Sequence, residues 1–70
     1  MVYYYRGLQE YDLKDYKSAT ADFDKAIALG PEDRPFYTAR ANLKDAIGDH
    51  AGAKKDRAKA ATLKMGYMKI

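Results

Sequence analysis

Eight residues of the chain recur unchanged at one fixed interval. Tyr3, Arg6, Asp15, Ala19, Asp22, Lys25, Ala26 and Leu29 are met again 34 positions later as Tyr37, Arg40, Asp49, Ala53, Asp56, Lys59, Ala60 and Leu63. Gly7 with Ala41, Leu13 with Ile47 and Tyr16 with His50 are conservative matches at the same spacing. A period of this length constrains the fold more than composition does, because one such unit cannot bury its own apolar face and must stack on the next. The chain therefore divides into a first unit at residues 1–33, a second at 34–64 and a tail at 65–70.

Within the unit, residues 15–31 carry the clearest local signal. Ala19, Phe23, Ala26 and Ile27 fall at i, i+4, i+7 and i+8, the spacing of one helix face. Asp15 is placed to cap the helix start, and Gly30 with Pro31 cannot comfortably continue it. A partner helix precedes it at residues 2–14, where Tyr3, Gly7 and Tyr11 lie one turn apart. Glycine inside a helix costs about 1 kcal/mol relative to alanine, so Gly7 implies close approach of the second helix. A turn at residues 14–16 then makes an antiparallel hairpin. In the second unit Asp33 caps a third helix, Pro35 sits in its first turn, and Gly48 with Asp49 end it near Ile47. A fourth helix, from Ala51 to about Lys64, follows.

The run Tyr3-x-x-Arg6-Gly7, then Asp15-Tyr16-x-x-Ala19-x-x-x-Phe23-x-x-Ala26, closing on Pro31, resembles a tetratricopeptide repeat, a helix-turn-helix unit of 34 residues. The resemblance covers residues 1–64 and implies an all-α fold, two antiparallel helix-turn-helix units stacked as a fragment of an α-solenoid. The second unit departs from the pattern, with Arg57 in the place of Phe23 and Met65 in that of Pro31. The resemblance places Tyr3 in the core and Tyr4 and Tyr5 on the other side of the helix. It also implies a groove lined by the first helix of each unit, in which a partner's peptide lies. Its lining would be Tyr4, Tyr5, Leu8, Tyr11 and Asp12 from the first unit, with Thr38, Ala39, Asn42, Asp45 and Ala46 from the second. The chaperone-adaptor members of the family grip a carboxylate with Lys and Asn, but Tyr4, Leu8 and Ala39 occupy the first three of those places. That clamp is not present.

The expected function is thus a protein-protein interaction module. The alternative, open at this point, is a two-repeat scaffold that self-associates weakly through its aromatic residues. Charge favours either, since residues 1–33 carry four Lys or Arg against seven Asp or Glu, and residues 34–70 carry nine against three. Units of opposite charge attract, within one stack or head to tail between molecules.

Enzymatic chemistry has little to work with. The chain has no cysteine, and its one histidine, His50, lacks the partners that a metal or a nucleophile needs, so neither a cofactor nor catalysis is expected. His50 is expected to cap or pack at a turn. Lys54, Lys55, Arg57 and Lys59 form a basic cluster without interleaved aromatics, which argues against nucleic acid. Arg6 with Asp22, and Arg40 with Asp56, read as a structural ion pair repeated in each unit. No apolar run nears the roughly 20 residues of a membrane span, and nothing resembles a signal peptide. The chain reads as a soluble piece, weakly favouring the cytoplasm, either cut from a longer repeat protein or built as two repeats.

The fourth helix is rich in alanine and should open first, with Arg57→Phe expected to strengthen it. The tail is expected to dock on the stack or to begin a further unit.

Overall fold

Caps written into the sequence set the helix ends. In the computed structural model, which describes residues 2–68 and side chains through residue 63, the chain forms α1 (Val2–Asp12), α2 (Tyr16–Leu29), α3 (Arg34–Ala46) and α4 (His50–Met68). The described residues contain no strand. Asp15 caps α2 by accepting from the Ser18 N–H at 3.4 Å, and Asp49 repeats this by accepting from Gly52 at 3.0 Å. Asp33 stands at the cap of α3 but makes no side-chain cap bond there, and Pro35 in the first turn removes one amide that would need a partner. Helix α4 runs to Met68, beyond the end near Lys64 that the sequence suggests. Docking of the tail side chains falls outside the described residues.

Helices α1 and α2 form one hairpin and α3 and α4 another, and the second stacks on the first mainly through α2 against α3. Both hairpin turns reverse through the left-handed region, at Lys14 (φ 65°) and at Gly48 (φ 91°). The N–H of Asp15 donates to the Glu10 carbonyl at 2.8 Å, and that of Asp49 to the Lys44 carbonyl at 2.7 Å, closing both helix ends in the same way. The left-handed conformation ends α1 at Asp12, two residues before the expected Lys14. It also costs a side chain about 1–2 kcal/mol, partly offset by the greater freedom glycine has when unfolded. Lys14→Gly should therefore stabilise the protein by about 0.5–1 kcal/mol, read as a higher Tm in thermal melts.

The core lies between the hairpins. The molecule measures 40 × 26 × 16 Å, thin enough that only Phe23 and Leu43 among the large described side chains are fully buried. Phe23 occupies the space that Gly7 leaves, since a Cβ at Gly7 would lie 2.6 Å from the Phe23 ring. Ala19, Ala39 and Leu43 complete the cluster, with Tyr4, Leu8, Tyr11 and Tyr16 against it. Tyr4 therefore does not turn away from the core, as the repeat pattern implies: its ring centroid lies 4.9 Å from Phe36 and 6.4 Å from Phe23. Tyr3 is half-buried at the outer edge, beneath Arg6 and Lys25.

Both repeated ion pairs form. Arg6 donates two bonds to Asp22 at 2.8 Å, and Arg40 donates two to Asp56 at 2.9 Å. The carboxylates are buried, with side chains 9% and 7% exposed, so these pairs are more than surface decoration. Their surroundings differ at one position. Lys44 reaches Asp56 at 3.2 Å, whereas its counterpart 34 positions earlier is Glu10, whose Oε1 is buried without a hydrogen-bond partner.

Once protonated, Glu10 can donate to the Asp22 carboxylate, and this, then burial, holds its carboxyl above the ordinary range. The Arg6 bonds, then that of Glu10, hold Asp22 down at about 2. The folded state thus binds Glu10's proton more tightly than the unfolded chain does, and this contribution is lost as pH rises through the raised pKa. Asp22 acts in the opposite sense, its contribution being complete above 3.8 and lost as pH falls through about 2. Together Glu10 and Asp22 therefore contribute most to stability on the acid side of neutrality. Glu10→Lys should raise the Tm at neutral pH and much less in acid, where Glu10 is protonated. Thermal melts of both proteins across this range measure the effect.

Candidate binding groove

The N-terminal half of α3 crosses α1 where both helices turn mixed faces outward. Starting after Asp33 and fixed in its first turn by Pro35, α3 sets Arg34, Pro35, Thr38, Ala39 and Asn42 opposite Tyr4 and Leu8 of α1. Together they line an open depression of about 300 Å³. Tyr4, Leu8, Pro35 and Ala39 supply its apolar wall. Thr38 and Asn42 offer hydrogen-bonding groups, and Arg34 a positive charge.

Tyr4, Leu8, Thr38, Ala39 and Asn42, all expected from the sequence, meet here. Arg34 and Pro35 join them, although in the sequence they read as helix-start residues, because the turn before α3 decides where they point. The other expected residues lie elsewhere. Tyr5 is 65% exposed, its ring set edge-on to Tyr4 with centroids 5.2 Å apart. Tyr11 packs on Tyr16 at 5.8 Å, and Asp12 and Ala46 are exposed at the far ends of their helices.

Asp45 belongs to a separate polar cluster that also takes in Asn42. Its carboxylate accepts from His50 Nδ1 at 2.8 Å and from Arg57 Nη2 at 2.7 Å, and Arg57 also bonds the Asn42 amide oxygen at 3.0 Å. The His50 bond, then that of Arg57, holds the Asp45 carboxyl below its ordinary range. His50 thus pairs with a carboxylate beside its turn, and Arg57 is drawn out of the basic cluster formed with Lys54, Lys55 and Lys59. The position of Arg57 is open to solvent, whereas Phe23 is covered by the second hairpin. A phenylalanine at 57 would lose two polar partners and gain no cover, so the expected benefit of Arg57→Phe does not follow.

Among the described residues no three His, Asp or Glu gather as metal ligands, and no helix is long and apolar enough to cross a membrane. Comparison with protein-family models, curated proteins and solved structures finds no match.

Proposed function

We infer that this chain is a tetratricopeptide-like interaction module, without catalytic activity, that binds a segment of a partner protein in the groove between α1 and α3. The observation that carries the reading is the depression shared by Tyr4 and Leu8 with Thr38, Ala39 and Asn42. An apolar wall with a few convergent polar groups suits one apolar side chain of a peptide and its flanking backbone. Tyrosine adds wide contact and a polar tip at small entropic cost. Arg34 at the rim favours an acidic residue beside that side chain.

Selection from a displayed library of random peptides, followed by titration, tests the reading. Leu8→Ala should weaken binding of selected peptides roughly tenfold, the order of a central contact, while lowering the Tm only slightly because Leu8 is half-buried. Lys59→Ala, on the opposite helix, should leave binding unchanged. Equal binding by Leu8→Ala and the unaltered chain would remove the groove from consideration.

A further inference from the structure

Because the hairpins share a frame, each residue of α1 can be compared with the residue of α3 that stands 34 positions later. The difference shows which contacts of α3 have no counterpart at α1 among the described residues. Arg40 uses all three guanidinium nitrogens, with Nε and Nη2 on Asp56 of its own hairpin and Nη1 on Asp24 of the hairpin before it, at 2.8 Å. Arg6 makes the first two bonds, to Asp22, and among the described residues nothing accepts from its Nη1. Its side chain is 54% exposed where that of Arg40 is 20%. The apolar neighbours follow the same rule. Phe36 and Ala39 are buried against the first hairpin, while their counterparts Val2 and Tyr5 are 67% and 65% exposed.

We propose that the α1 face carrying Val2, Tyr5 and Arg6 is a docking face for a helical hairpin that presents an aspartate beside an aromatic ring, as Asp24 and Phe23 are presented to α3. The unpaired Nη1 supplies the charge complementarity, and Val2 with Tyr5 supplies the apolar area. A second copy of this chain is the wrong occupant. Its outward face belongs to the second hairpin, where Ala58 replaces Asp24 and leaves Arg6 without a carboxylate. There Asn42, Asp45, His50 and Arg57 also replace Leu8, Tyr11, Tyr16 and Phe23, four apolar or aromatic residues giving way to a bonded polar cluster. Covering that cluster with Val2 and Tyr5 would strip its water without returning hydrogen bonds. Head-to-tail pairing of copies, which the charge asymmetry alone suggests, is thereby disfavoured.

The test extends the full chain at its N-terminus with an added copy of residues 1–34, which keeps the register and sets the copy's Asp24 and Phe23 before Arg6 and Tyr5. Amide exchange of Val2–Asp12 in the original α1 should slow by roughly tenfold or more, as neighbouring repeats stabilise one another. Asp24→Ala in the added copy should return part of that protection. An added copy of residues 35–68 in its place should give none. Equal protection from both extensions, or from neither, overturns the proposal.

A check without extension is to give the second hairpin the chemistry of the first, by Asn42→Leu, Asp45→Tyr, Arg57→Phe and Ala58→Asp together. Sedimentation should then show association that Arg6→Ala abolishes, and a variant that stays monomeric counts against the proposal. Association of the unaltered chain that Arg6→Ala abolishes would make a second copy the occupant and overturn it as well.

Discussion

Phe23→Ala should cost the protein a large share of its stability and lower its Tm by roughly 12–40 °C. The ring is fully buried between α1, α2 and α3, in the space that Gly7 vacates, and it touches both hairpins. Replacing a buried phenylalanine by alanine costs about 3–5 kcal/mol, because the cavity adds to the lost transfer energy. A chain of this length has only about 4–10 kcal/mol of stability to lose. A fall of that size in the helical melt of Phe23→Ala is the expected result, and a cooperative melt near that of the unaltered protein would show that the ring is not the keystone. Gly7→Ala supplies the complementary test. Its methyl must displace the ring, at a cost of about 1–3 kcal/mol for overpacking, against about 1 kcal/mol gained from helix propensity. Phe23→Leu, which makes room, should remove most of that cost in a double-mutant cycle.

Asp56→Ala is expected to be the next most damaging change. Desolvation alone would push this carboxyl up, but the bonds from Arg40 and Lys44 outweigh it and hold the group below its ordinary range. Truncation leaves Lys44 without its partner and Arg40 with Asp24 only. Hydrogen bonds to charged groups are worth about 1.5–3 kcal/mol, and Arg40 can turn part of its guanidinium to water, so a loss of about 2–3 kcal/mol is expected. Asp22→Ala should cost less, because Arg6 is already more than half exposed. The described buried side chains of α4 are Ala53, Asp56 and Ala60, so this helix is held more by the ion pair than by volume. Amides of α4 should accordingly exchange faster in Asp56→Ala before those of α2 do, and chemical denaturation with hydrogen exchange reads both effects.

Much of this architecture is legible before any coordinates are seen, for local reasons. Caps at Asp15 and Asp49 act within one turn of their own positions. Gly7 is informative because glycine in a helix is costly enough to need a reason, and Phe23 is that reason. The Arg6–Asp22 and Arg40–Asp56 pairs stand out through repetition. What escapes the sequence depends on a neighbour that only the stack supplies. Asp24 binds Arg40 across the two hairpins, yet a comparison that seeks identity 34 positions apart passes over it, since its counterpart is Ala58. Arg57 reads as a lost core residue until Asn42 and Asp45 are seen to hold it on an open face. Tyr4 is core-facing because Phe36 arrives from the next hairpin, a contact that no single-helix periodicity contains. Five of the ten expected groove residues line one depression, and Arg34 and Pro35 join them only through the turn that starts α3.

Amide chemical-shift mapping of the labelled full chain, titrated with a library-selected peptide, shows directly whether a partner binds in that depression. Shifts should concentrate on Tyr4, Leu8, Thr38, Ala39 and Asn42, with the outer faces of α2 and α4 unmoved. A footprint centred on Lys54, Lys55 and Lys59, or on Val2 and Tyr5 with the groove silent, would contradict it.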